Sequence, residues 1–224
     1  MELHEVVIDH GSTLVGPVTA AIPEGQVTVL QGPSGSGKTS LCLAMTGFLT
    51  PGRGHIEGEI GVLVPQNPRE WLNPRLRVSQ VLEHTMRIRR TQSSDPAHQG
   101  PGLRAARPSE RAADAAERAA DRPLDGDLDR DELLALALLG PEIAEHRCGE
   151  LSGGQAARVC IARALASGID TIVCDEPTAA LDSSNAARIA RLVNNLAATG
   201  KTMVWATHDR DLVAATDSGH SFAL

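Results

Sequence analysis

The sequence predicts an α/β fold: a mostly parallel sheet flanked by helices and interrupted by an inserted helical subdomain. Three features point there. An apolar segment, Gln26–Leu30, leads through a glycine loop, Gly32–Gly37, into residues Leu41, Ala44, Met45 and Phe48 at helical spacing. Toward the other end, apolar β-branched segments at Thr171–Cys174 and Thr202–Ala206 alternate with helical stretches. Between these halves the composition changes, with helical patterns separated by a segment rich in Ser, Pro, Gly and Gln.

Taken in order, Gln26–Leu30 reads as a buried strand and Lys38–Phe48 as the helix that follows its loop. Leu76–Arg90 has helical spacing, whereas Thr91–Pro108 carries only Leu103 as a large apolar residue and reads as a mobile loop. Ser109–Arg122 is rich in Ala, Arg and acids, and Asp114 stands four residues before Arg118, as a helical ion pair requires. Asp125–Asp131 reads as a solvated acidic turn, and Asp131–Leu139 as the next helix. A helix opens near Ser152 and closes over Ile161–Ala166, and another runs from Ser183, expected as its N-cap, to about Ala198. The resulting division is 1–75 for the first part of the core, 76–150 for the helical subdomain with its loop 91–131, and 151–224 for the rest of the core.

Composition narrows the function. Lys and Arg total 21 against 28 Asp and Glu, giving a net charge of −7 that argues against a protein built to coat nucleic acid. Cys42, Cys148, Cys160 and Cys174 are scattered without a C-x-x-C, so buried reduced thiols are expected rather than a zinc knuckle or disulfide framework. No secretory signal is read at Met1–Gly11, and the apolar run Leu133–Leu139 is too short to span a bilayer. A soluble intracellular chain is the expectation.

Chemistry concentrates in a few segments. Gly32-Pro33-Ser34-Gly35-Ser36-Gly37-Lys38-Thr39 fits G-x-x-x-x-G-K-[ST] between a strand and a helix, the phosphate-cradling P-loop. Glycines let successive N–H groups turn toward one concavity, and the helix N-terminus adds partial positive charge. Lys38, one of only two lysines with Lys201, is placed to reach the β- and γ-phosphates, and the Thr39 hydroxyl to ligate Mg²⁺. Asp175 and Glu176 end an apolar strand where open α/β sheets bind ligands; Asp175 suits the Mg²⁺ shell and Glu176 an attacking water. Leu151-Ser152-Gly153-Gly154-Gln155, ahead of a helix bearing Arg158 and Arg163, forms either a second anion site or a capped helix start.

Gly32–Thr39, Gln66, Leu151–Gln155, Asp175–Glu176, Asp182 and His208, in this order, resemble the nucleotide-binding subunit of ATP-binding-cassette (ABC) transporters. The resemblance runs from about residue 3 to 215 and excludes only 91–131. It implies a P-loop NTPase core with N-terminal antiparallel β elements, and ATP and Mg²⁺ as ligands. It also implies a head-to-tail dimer in which Ser152, Gly153, Gly154 and Gln155 meet the ATP held by the P-loop of the other subunit. By position, Ser40 joins the nucleotide contacts, Gln66 joins Mg²⁺ and water to the helical subdomain, His208 contacts the γ-phosphate and Asp182 lies at the inter-subunit contact. Where the family stacks an aromatic on adenine, the nearest residue here is His10, and Ala156 and Ala157 stand where polar or basic residues are usual. The chain ends shortly after His208, which implies no added regulatory domain.

The resemblance further implies integral membrane permeases as partners, a solute-binding protein, no nucleic acid, and a place on the cytoplasmic side of the membrane. Trp71-Leu72-Asn73-Pro74-Arg75 resembles a segment of the peptide- and nickel-type importer ATPases, although Asn-Pro is also an ordinary turn. Three readings stay open beside it: a general ABC importer ATPase for another solute, a non-transport ABC ATPase of iron–sulfur assembly or DNA repair, and a P-loop nucleotide kinase.

Overall fold

The computed structural model describes residues 1–10, 13–93, 128–178, 181–209, 213, 214, 216 and 219–224. Most of the expected loop 91–131, with the Ser109–Arg122 helix and its Asp114–Arg118 pair, lies outside them. Contacts divide the chain into one unit of Met1–Gln66 with Ile169–Leu224 and another of Asn67–Gly168.

In the first unit, β1 (Glu2–His10), β2 (Thr13–Ala21) and β4 (Arg53–Glu57) form an antiparallel sheet in the order β2-β1-β4. A second sheet, all parallel, has the order β5-β6-β7-β3-β8. Its strands are β3 (Val27–Gln31), β5 (Val62–Val64), β6 (Thr171–Asp175), β7 (Thr202–Thr207) and β8 (His220–Ala223). Every residue of β6 and β7 is buried, as expected of strands covered on both faces. Helix α1 (Lys38–Met45) packs on β6 and β7. Leu3, Val6, Ile8 and Val15 of the antiparallel sheet share one core with Leu30, Leu41, Met45, Val173 and Val204. That core fixes α1, and the loop before it, against both sheets.

The second unit holds α2 (Val78–Ser93), α3 (Arg130–Leu136) and α4 (Gly153–Ala166), with α2 and α3 both packed on α4. By its contacts α4 therefore groups with the helical unit, where the sequence division at 150 placed it with the core. The reason is a nearly all-round apolar helix: Ala156, Ala157, Val159, Cys160, Ile161 and Ala162 are completely buried. Ala156 and Ala157 are packing positions in this chain.

Helix ends differ from the sequence expectation in physical detail. Helix α1 stops at Met45 because Gly47 turns the chain with φ 72°, so Phe48 leaves the apolar stripe and is 63% exposed. Helix α2 continues through Ser93, past the expected start of the loop at 91. Helix α3 begins earlier, capped by Asp129 in a capping box with Glu132, and ends before Leu138, whose φ of 55° is left-handed. Helix α5 (Ser183–Ala198), in the first unit, is capped by Asp182 and not by Ser183, because the Asp182 carboxylate accepts from the Asn185 N–H at 2.9 Å. The four cysteines are buried thiols joined in no disulfide with one another, as expected, and burial holds the Cys42 and Cys160 thiols above the ordinary range, Cys160 to about 11. Among the described residues no helix is long and apolar enough to cross a membrane.

Candidate active site

Strand β7 lies between β3 and β6, so three chain segments emerge side by side at the carboxyl edge of the parallel sheet. They are the glycine loop after β3, the acidic pair closing β6 and His208 just past β7.

The glycine loop is shaped by backbone sterics. Gly35 and Gly37 have φ 83° and 99°, a region other residues enter at a cost. A Cβ on Gly37 would also lie 2.3 Å from Val15 Cγ2 of β2. Gly37 is the N-cap of α1 and supplies no side-chain cap, so the first N–H groups of the helix remain available to an anion. Pro33, Ser34 and Gly35 are exposed at the tip, Gly32, Ser36, Gly37 and Ser40 are half-buried, and Thr39 is exposed. The Ser36 hydroxyl is shielded from solvent and makes no hydrogen bond.

Lys38 is buried, 4% exposed, and its ammonium donates to the carbonyls of Gly32 at 2.9 Å and Pro33 at 3.0 Å. Its third partner is Glu176, whose Oε1 lies 3.1 Å away. On the other carboxylate oxygen of Glu176, His208 Nδ1 stands at 3.2 Å and Gln66 Nε2 donates at 3.5 Å. Glu176 itself has φ 42°, and its N–H donates to Ala206 O at 3.0 Å. A left-handed glutamate costs about 1–3 kcal/mol and persists where its surroundings over-determine it. Strand β7, next to β6, supplies that restraint.

Asp175, one residue earlier, points elsewhere. It is 4% exposed, hydrogen-bonded by the Thr39 side chain, and its Oδ1 has no hydrogen-bond partner. Burial raises its pKa above the usual aspartate value and the charge of Glu176 adds to this, while Thr39 and Lys38 pull it back. A buried carboxylate oxygen without a donor, beside a threonine hydroxyl, is the hard-oxygen set that suits Mg²⁺.

The remaining sequence candidates fall as follows. Ser152 caps α4: its Oγ accepts from the Gln155 N–H at 3.2 Å, and Gln155 Oε1 accepts from the Ser152 N–H at 2.8 Å. Gly153 and Gly154 form the first turn of that helix. Arg158 and Arg163, on the helix that follows this segment, spend donors on backbone. Arg158 donates to Gly154 O and Leu138 O, and Arg163 to Trp71 O. Asp182 sits at the start of α5, occupied by the N–H and the side-chain amide of Asn185. The side chain of His10 lies outside the described residues. What the sequence did not disclose is the closure of Lys38, Gln66 and His208 on one carboxylate, because it depends on the strand order.

A family model described as ABC transporter matches residues 15–179. The hemin import ATP-binding protein HmuV of Nocardia farcinica is 32% identical over 214 residues, covering 90% of this chain and 67% of its own. The cobalt import ATP-binding protein CbiO of Rhodobacter capsulatus is 30% identical over 205 residues, covering 92% and 68% respectively. The chain thus spans about two thirds of the length of these relatives. Among solved structures, dimeric MJ0796, a bacterial ABC transporter cassette, is 26% identical and superposes with a TM-score of 0.68 over all of this chain and 93% of that one. Its dimeric post-hydrolysis state, bound to ADP and Pi, gives a TM-score of 0.67 at the same identity.

Proposed function

The chain belongs to the ABC transporter family, and from that premise we propose that it is the ATP-hydrolysing subunit that energises an importer. The observation that carries this reading is the convergence of Lys38, Gln66 and His208 on the Glu176 carboxylate at the mouth of the glycine loop.

ATP is cut to ADP and phosphate. The loop N–H groups and Lys38 bind the β- and γ-phosphates, with the γ-phosphate taking the place of Glu176 as the third partner of the ammonium. Released from Lys38, the carboxylate of Glu176 accepts a proton from the water that attacks the γ-phosphorus, as the bond to the ADP oxygen breaks. His208 and Gln66 hold the carboxylate in place and sense the γ-phosphate. Thr39, Asp175 and Gln66 would hold Mg²⁺, which neutralises charge on the phosphate oxygens.

The catalytic unit in this reading is a head-to-tail pair of such domains, with Ser152–Gln155 of each closing on the ATP of the other and Asp182 at the contact. The dimeric form of MJ0796 supports it. Membrane permeases receive the motion through the helical subdomain, and a solute-binding protein delivers cargo, which puts the chain on the cytoplasmic face. Hemin and cobalt appear in the names of the relatives. The resemblance of Trp71–Arg75 to a segment of the peptide- and nickel-type importer ATPases supports that type; here the segment is a tight turn in which Asn73 Oδ1 accepts from the Arg75 N–H at 3.0 Å.

The test is reconstitution in liposomes with the permease encoded beside it and the accompanying binding protein loaded in turn with peptide, nickel, cobalt or hemin. ATP turnover that rises with one loaded binding protein, and accumulation of that solute, is the expected result. Turnover indifferent to every permease and coupled instead to a soluble assembly would overturn the transport reading.

A further inference from the structure

Strands β1 and β4 place four chemistry-bearing side chains together. In their antiparallel register Glu2 stands opposite Glu57 and His4 opposite His55. Residues two apart along a strand share a face, so all four lie on one side of the sheet. His4 Nε2 is 3.4 Å from Glu2 Oε2 and 3.8 Å from Glu57 Oε2, and His55 Nε2 is 3.0 Å from Glu57 Oε1. The two imidazoles stack with centroids 4.8 Å apart at 20°.

Two features of this square ask for a cation. Like charges directly opposite each other across a strand pair are unfavourable, and among the described residues no lysine or arginine pairs with Glu2 or Glu57. His4 Nε2 is shielded from solvent and makes no hydrogen bond, although it sits between two carboxylates. Two neutral imidazoles and two carboxylates carry a charge that one divalent ion cancels. The spacing also fits. Metal–ligand bonds of about 2.0 Å in a tetrahedron place ligand atoms about 3.3 Å apart, and one ligand atom each of His4, His55 and Glu57 lies within 4.8 Å of the other two, a gap that side-chain rotation on an exposed face closes.

We propose that His4, His55 and Glu57 form a binding site for a divalent transition-metal ion of the zinc class, with Glu2 beside His4 adding negative charge. Mixed imidazole and carboxylate ligation favours such ions over Mg²⁺ and Ca²⁺, which take oxygen-only shells. The site lies on the antiparallel sheet, stands independently of the nucleotide chemistry, and ties β1 to β4 across their edge-to-edge register.

The experiment is calorimetric titration of the whole chain with ZnCl2 in excess Mg²⁺, which keeps the phosphate loop and its acids out of the count. The expected result is one Zn²⁺ per chain with a zinc-dependent rise in thermal midpoint. In His55→Ala the apparent affinity falls at least about tenfold, the scale on which even outer ligand partners matter. His55 and Glu57 side chains are 62% and 61% exposed, so the fold is expected to persist, and unfolding midpoints in chelator check it. Glu57→Gln provides a second reading of the same loss. Absence of stoichiometric binding, or titrations unchanged in both variants, would overturn the proposal.

Discussion

Lys38 and Glu176 meet at 3.1 Å with side chains only 4% and 12% exposed, so the cation proposed to bind phosphate and the carboxylate proposed to activate water neutralise one another inside the protein. Removing one member of such a pair leaves the other buried and unmatched, which costs more than the pair contributes. Lys38→Ala is therefore expected to lower stability by about 3 kcal/mol and to abolish ATP binding. Glu176→Gln keeps an acceptor for the ammonium, and is expected to bind ATP at least as tightly while turnover falls roughly 100-fold or more. The double variant should recover about 1–3 kcal/mol relative to the sum of the single losses, without recovering ATP binding. Chemical denaturation of the four proteins, with calorimetric ATP titrations, measures each term. Additive stability losses would show that the contact carries no coupling, and normal turnover in Glu176→Gln would remove the base assignment.

Which parts of this site could be read from the chain alone follows from the range of the forces involved. The P-loop was legible because its chemistry is local: Gly35 and Gly37 need left-handed φ values, and Lys38 follows them directly. The strand ending in Asp175–Glu176 was legible because five buried residues in a row admit little else. Strands β1 and β2 lacked a clean alternation, since register shifts interrupt β1 between Leu3 and Ile8 and Gly16-Pro17 falls within β2. Helix ends depended on single dihedrals at Gly47 and Leu138. The pairing of Lys38 with Glu176 was out of reach, because β7 enters between β3 and β6 only in the folded sheet.

Asp175 gives a pH-dependent prediction whose sign is fixed by burial. Its raised pKa means the native state takes up a proton more readily than the unfolded chain. Stability therefore declines as pH rises from the ordinary aspartate range through the raised value, and the full penalty is present at neutral pH. Asp175→Asn removes the charge, and is expected to gain roughly 1 kcal/mol at pH 7, the low end for relieving an unpaired buried acceptor. The gain should shrink on acidification and vanish below the usual aspartate pKa. Thermal unfolding of both proteins across that range, without nucleotide, measures it. The same variant is expected to lose Mg²⁺-dependent turnover, so a more stable and less active protein is the signature; equal stability at every pH would contradict the burial argument.

Ser152 carries two roles that substitution can separate. As the N-cap of α4 it accepts the Gln155 N–H at 3.2 Å, and Ser152→Ala should cost about 1 kcal/mol from the lost cap alone. In the proposed dimer the same hydroxyl also faces the γ-phosphate of the partner's ATP. Ser152→Asp keeps an excellent capping oxygen, so stability should return to the parent level. Its negative charge would then repel the phosphate, and ATP-driven dimerisation should fail, even in a Glu176→Gln background where closed dimers are expected to accumulate. Denaturation midpoints read the first role and size-exclusion chromatography with ATP reads the second. If Ser152→Asp dimerises and turns over normally, capping is the whole function of this serine, and the segment Leu151–Gln155 closes on no phosphate.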